Sequence, residues 1–402
     1  MKTEKADDGM EGEARPEVYA INRGRSGWTL SRRSLVSAAA AAVAAVPRRA
    51  QGAACVADAL PHGGGVRSVA ISMDGRLLAS GSEDQTVKLW SLPDGALLKT
   101  LAGHTDIVLS VAISPDGRLA ASGGWDRTVK VWSLPDGALL KTLTGHSGFV
   151  ASVAISSTGR LLASASWDAT IKLWSLPDGA LLKTLTGSQP VQSVAISPDG
   201  GLLASDGGDS TVKLWSLPDG APLKTLAPWW GARTVAISLD GRLLASSSGR
   251  VWSLPDGVLL AQTVDGPYDT QSVAISPDGR LLASCGKNQA IQLWSLPDGA
   301  LRQTLAPQRN WLYSVAISPD GRVMASGGSD ETIKLWSLPD GNLLPICLMD
   351  PATSCAKAVA YTIAGRTYTV PFGSPIPPGA TCTCNAVNGS FCGCSTVYYY
   401  PN

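Results

Sequence analysis

Seven tryptophans, Trp90, Trp132, Trp174, Trp215, Trp252, Trp294 and Trp336, follow one another at intervals of 42, 42, 41, 37, 42 and 42 residues, and the sequence around each is nearly the same. A chain written as one short unit repeated in register folds as stacked copies of one supersecondary element. The clearest copy reads VLSVAISPDGRLAASGGWDRTVKVWSLPDGALLKTLTGH. Each copy holds four short apolar segments, of the kind SVAIS, LLAS, TVKLW and ALLKTL, separated by PDG, a polar turn and LPDG. Alternation at a period of two marks each segment as a strand, and proline with Asp-Gly supplies the turns. The 43 glycines and 26 prolines break the chain too often for long helices. A four-stranded sheet this small leaves both faces bare, whereas sheets set around an axis bury them against each other and keep only short edges. The chain is therefore expected to be all-β, a seven-bladed β-propeller of four-stranded antiparallel blades over residues 54–349. Its last outer strand is to come from Asn342 to Leu348, or the ring is to be latched by residues near Val56 to Leu60.

The repeats resemble WD-repeat β-propeller blades: Gly-His stands before the first strand, and Trp-Ser occupies the place of that family's Trp-Asp pair. The resemblance implies a buried hydrogen-bonded chain in each blade, made by a His before the first strand, a Ser on the second, an Asp in the next turn and the Trp on the third. Carried over, this gives His62, Ser80, Asp84 and Trp90, then His104, Ser122, Asp126 and Trp132, then His146, Ser164, Asp168 and Trp174. All three histidines of the chain fall on these positions. A Ser-His-Asp triad reading of the same residues would mistake a repeated scaffold for a singular, exposed catalytic site. Later blades depart from the pattern. Ser188 follows Gly187 where His is expected, blade five is about five residues short and lacks its turn and Asp, Asn288 stands for Asp in blade six, and blade seven keeps Ser326, Asp330 and Trp336 without His.

The family geometry puts the PDG and LPDG turns on one face, and LPDG recurs seven times unchanged. The copies differ on the other face, which gains Trp125 and Trp167 before the turn acids, Trp229 and Trp230 in APWWGA, Trp311, Phe149, Tyr268 and Tyr313. Aromatic rings bury large area at low side-chain entropy, so these residues are the candidate partner-binding set. The competing reading has them packing over neighbouring loops, with Trp229 and Trp230 filling the notch left by the short blade.

Residues 1–53 read as a disordered leader carrying an export signal. Ser31, Arg32 and Arg33, with Leu35 after them and a weakly apolar stretch from Ala38 to Val46, resemble a twin-arginine signal and imply an exported or periplasmic protein; a cytoplasmic location is the alternative. Six acids among the first 17 residues argue against a mitochondrial transit peptide. Residues 350–402 form a cysteine-rich tail in which Cys382, Cys384, Cys392 and Cys394 make two Cys-x-Cys pairs. Disulfides are the preferred reading, with zinc held by the four thiolates and free or otherwise modified thiols as the alternatives, although the familiar zinc spacing is Cys-x2-Cys.

Lysine and arginine total 33 against 32 acids, so no net field draws the chain to nucleic acid. No apolar run reaches the roughly 18 residues of a membrane-spanning helix. No resident cofactor is expected. The function that fits is a non-catalytic, monomeric binding scaffold presenting its aromatic face to a protein, peptide or glycan. Two alternatives stand beside it: a metalloprotein or enzyme-associated protein whose cysteine tail carries the chemistry, and an intracellular assembly scaffold.

Overall fold

The computed structural model describes residues 59–92, 95–226, 233–263, 270–305 and 310–344 in full, together with the strand backbone at 20–24, 27–31, 355–363, 366–371, 381–386 and 391–394. The chain divides into two compact units, Met1–Gly52 and Ala53–Asn402. In the first, strand Ala20–Gly24 pairs antiparallel with Gly27–Ser31. The second holds the repeats, folded as seven four-stranded antiparallel sheets, and a further sheet formed by strands of the tail.

Each repeat lays down its strands in order from the inside outwards. In blade one these are Val66–Ile71, Leu77–Ser82, Thr86–Ser91 and Leu97–Ala102. The second strand is buried along nearly its whole length, because both of its faces meet a neighbouring blade. The outer strand alternates less and stays largely exposed. The apolar core accordingly lies between blades as seven clusters, one per seam. At the first seam Ala79, Val87, Leu89 and Leu101 of blade one meet Val108, Val111 and Trp132 of blade two. The repeated tryptophan thus seals the seam behind its own blade.

A second repeated element binds the inner strands into a ring. The hydroxyl of Ser68 accepts a hydrogen bond from the Val111 amide of the next blade at 3.1 Å, and Ser110, Ser152, Ser193, Ser272 and Ser314 do the same for Val153, Val194, Val235, Val315 and Val69. The seventh place belongs to Thr234, whose buried hydroxyl has no partner. Blade five is the short one, as expected: its inner strand is Val235–Ile237, three residues against the usual six, and its turn runs through Gly249 at φ 78° without an acid.

Closure of the ring combines both expected sources. Leu60 and Pro61 pair with Ile333 and Thr332 at one end of the third strand of blade seven, Thr332–Ser337. Leu343 bridges to Trp336 at its other end, and the Leu344 amide donates to the Leu335 carbonyl at 2.7 Å. These are the register places that Leu101, Ala102 and Leu97 fill in blade one. One outer strand is therefore assembled from two pieces that lie about 280 residues apart in the chain.

Candidate functional site

The loops entering each blade and the turns between second and third strands share one face, and three of them are fixed from below by the same four residues. In blade three, Trp174 Nε1 donates to Ser164 Oγ at 2.9 Å, Ser164 Oγ lies 2.8 Å from His146 Nε2, and His146 Nδ1 lies 2.8 Å from Asp168 Oδ2. Blades one and two repeat this with His62, Ser80, Asp84 and Trp90 and with His104, Ser122, Asp126 and Trp132. A neutral imidazole satisfies every member: Nδ1–H donates to the carboxylate while Nε2 accepts the serine proton. Burial agrees, since it pushes His62 and His146 below their ordinary value against the opposing pull of Asp84 and Asp168. Burial raises the Asp126 and Asp168 carboxyls, but their hydrogen bonds, from His104 and Thr128 and from Thr170 and His146, outweigh it and hold both at about 2. Ser80, Ser122 and Ser164 are fully buried, so none can meet a substrate. The acid's other oxygen accepts from the turn, as in Thr170 N to Asp168 Oδ1 at 2.9 Å. The network shapes the turn that carries Trp167.

In blades four and seven, where the histidine is missing but the acid remains, lysine replaces its bond to the acid. Lys213 Nζ lies 2.7 Å from Asp209 Oδ2, which also accepts from Ser188 at 2.6 Å, and Lys334 Nζ lies 2.6 Å from Asp330 Oδ2. The sequence hides this, because a lysine stands in nearly every copy of TVKLW and reads as a surface charge. Blade six keeps the bond from Trp294 Nε1 to Ser284 Oγ at 2.9 Å. A water-sized cavity of about 10 Å³, lined by Thr263, Ser284 and Trp294 among others, opens beside that bond.

Three of the aromatic candidates come together. Phe149, half-buried on the loop entering blade three, stacks on Trp125 at a centroid distance of 5.0 Å and an angle of 15°, and meets Trp167 at 5.8 Å and 53°. Trp125 is 37% exposed and Trp167 53%. The result is a strip of three rings spanning the turns of blades two and three. Trp311, 46% exposed, instead lies under the Lys287 ammonium at 5.0 Å. The Arg67 guanidinium sits 4.0 Å over the Tyr313 ring and is also paired with Glu83. Trp229, Trp230 and Tyr268 lie outside the described residues.

The opposite face holds a feature that its uniform turns conceal. A cavity of about 310 Å³ is lined by residues of all seven blades, among them Ile71, Ile155, Ile196, Ile237, Ile275 and Ile317 from the ends of inner strands, with Met73 and Leu239 exposed at its rim. The same isoleucine from six of the seven repeats, with Pro115 from blade two, set around an axis, makes an apolar collar at the mouth of the central channel. Its signal in the sequence was the repetition itself.

In the tail, backbone register sets Cys382 opposite Cys394 and Cys384 opposite Cys392; their side chains lie outside the described residues. Among the described residues no group of three or more His, Cys, Asp or Glu is arranged to hold a metal ion. No helix among them is long and apolar enough to cross a membrane.

The comparisons follow the blades. The family described as "WD domain, G-beta repeat" matches residues 54–91, 95–133, 137–175, 179–216, 259–295 and 299–337, more than half of the chain. The unmatched interval holds the short fifth blade. Proteins named "Transducin beta-like protein 3" from Bos taurus and Homo sapiens are each 49% identical to this chain over 43 residues, 11% of this chain and 5% of theirs. That is about one repeat, and the matched part spans a twentieth of the length of these curated relatives. Six matched repeats, seven blades and the shared hydrogen-bonded tetrads place the chain in the WD domain, G-beta repeat family.

Proposed function

We propose that this protein is a non-catalytic scaffold that binds a partner protein through the aromatic strip Trp125–Phe149–Trp167. Propellers of this family are typically protein-interaction scaffolds, and the strip supplies a place for the contact. The observation that carries the reading is two indoles left 37% and 53% exposed on rigid turns, with a third ring packed between them. Rings held in place lose little entropy when a partner covers them, and tryptophan is enriched among the residues that anchor such contacts. Short peptides and glycans with flat apolar faces fit the same surface and belong in the test. The protein, immobilised and exposed to extract of its own source organism, is expected to retain a partner that the Trp125→Ala/Trp167→Ala variant loses and the opposite-face variant Met73→Ala/Leu239→Ala keeps. Equal retention by all three would refute the assignment, and retention of glycans alone on an array would change the partner class.

We further propose, from the leader sequence alone, that the protein is exported. Ser31, Arg32 and Arg33, followed by an apolar stretch, support export. Arg32→Lys/Arg33→Lys is expected to retain the full chain in the cytoplasm, and unchanged fractionation would refute the signal.

A further inference from the structure

The position that pairs across each blade with the ring serine is small in six blades: Gly81, Gly123, Ala165, Ser247, Cys285 and Gly327. The reason is geometric. A Cβ added at Gly81, Gly123 or Gly327 would stand 2.7, 2.5 or 2.6 Å from a valine Cγ1 on the inner strand of the next blade. A side chain here points straight into the seam. Blade four carries Asp206 at this position, opposite Ser193. Asp206 is 1% exposed, and neither carboxyl oxygen has a hydrogen-bond partner.

The surroundings do not compensate it. On its own blade, the backbone amides of Ser193 and Gln192 favour the charged form without forming a hydrogen bond to either oxygen, and Asp209, itself paired with Lys213 on the third strand, opposes it. From blade five Arg233 favours the charged form, but its guanidinium is exposed and donates to Gln271 Oε1 at 3.3 Å. Burial dominates and raises the carboxyl well above its ordinary value. The other buried side-chain polar atoms without partners among the described residues, Thr234 Oγ1 and Gln271 Nε2, lie just before the inner strand of blade five and on that of blade six. Blade five also has the shortest inner strand, and its one ring bond is the Val235 amide to Ser193 of blade four at 3.2 Å, the bond that Thr234 would make towards blade six being absent. A charged group that must enter water therefore lies beside the least-tied blade.

We propose that Asp206 makes the seam between blades four and five pH-operated: it stays closed while the carboxyl holds its proton and opens when the carboxyl is ionised. A buried carboxylate without donors is strongly unfavourable, so ionisation requires water to reach it, and water reaches it by local separation of the two sheets. The sign follows from linkage. The closed state holds a proton that the open state releases, so the opening equilibrium grows as pH rises from about 4, the value of a free Asp, until the closed-state carboxyl itself ionises. The slope approaches tenfold per pH unit, the limit for one proton.

Hydrogen exchange on the full chain tests this between pH 5 and 9, after correction for the intrinsic rate. Amides of Leu202–Gly207 and Val235–Ile237 are expected to lose protection with rising pH towards that limit, while those of Val150–Ile155 in blade three do not. Asp206→Ala, which places in blade four the residue that blade three has at Ala165, is expected to fold and to hold the seam closed at every pH. Asp206→Asn should abolish the slope while leaving a polar group unpaired. Protection independent of pH in the wild type, or the same slope in either variant, would overturn the proposal.

Discussion

Trp167 and Trp174 stand seven residues apart on one blade, and their replacement separates surface from scaffold. Trp174 is 3% exposed and packs among Ala121, Val129, Val131 and Leu143 of blade two. Truncation to alanine opens a cavity in that seam, at about 3–5 kcal/mol for a buried tryptophan, and leaves Ser164 without its donor. For Trp167, just under half of the residue is covered, and its ring meets Phe149. An indole side chain has on the order of 250 Å², so the atoms lost beyond Cβ give up roughly 80 Å² of buried surface. At about 25 cal/mol per Å² that is near 2 kcal/mol, an upper bound because the unfolded chain already covers some of this area. The expected loss is about 1–2 kcal/mol. Since a domain of this size shifts by about 2–4 °C per kcal/mol, thermal melts followed by circular dichroism resolve the two classes. Trp174→Phe, which keeps a ring but removes the N–H, covers the case in which the alanine variant does not fold. Equal losses from Trp167→Ala and Trp174→Ala would make both rings scaffold and remove the physical basis for placing recognition on the strip.

Thr234→Ser supplies the ring bond that the other six blades make, and is expected to raise the urea midpoint by the equivalent of about 0.5–1.5 kcal/mol; a neutral or lower midpoint would show that backbone spacing, not the side chain, prevents the bond. Acid unfolding should come in two stages. Because the folded state keeps His62 and His146 neutral, stability starts to fall below about pH 6.5 as the unfolded chain takes up protons. It falls again from about pH 4 to pH 2, where unfolded aspartates protonate while Asp126 and Asp168 resist, and Asp168→Asn should flatten this second limb in a urea-midpoint titration. For an exported chain, Cys382, Cys384, Cys392 and Cys394 are expected to resist alkylation until a reductant is added; rapid labelling of all four in the native, metal-free protein would refute both disulfide and metal readings.

Blade number and strand order were readable because each repeat carries its own alternation and turns, so local pattern and global architecture agree. Long-range juxtapositions were harder. Trp125, Phe149 and Trp167 are 24 and 18 residues apart in sequence, and nothing local announces that the turns of successive blades bring them into contact. The isoleucine collar was missed for the opposite reason: its residues look ordinary one repeat at a time and acquire a shared surface only after closure. Lys213 and Lys334 were invisible as replacements for histidine because the same lysine appears where histidine is present. Asp206 shows the converse case, in which one polar letter in an apolar strand departs from its repeat, a sign that comparison of the copies makes available before any fold is known.

The divided outer strand of blade seven also imposes a timetable on synthesis. Every other blade can pair its strands as its own repeat leaves the ribosome, but Leu60 and Pro61 must wait for Thr332 and Ile333, about 270 residues later. At 5–20 residues per second that interval is on the order of 15–50 s. Throughout it Leu60, fully buried in the finished ring, has only the blade-one half of its cluster, Val66, Val69, Leu78 and Trp90, and lacks Val323, Ala325, Ile333 and Leu335. Blade one has no partner on one flank until the final repeat arrives, so the growing array of blades is an open arc with two uncovered ends. Completion of the ring is then a single late event that joins the oldest part of the chain to the newest, and a chain stopped before residue 332 cannot make it.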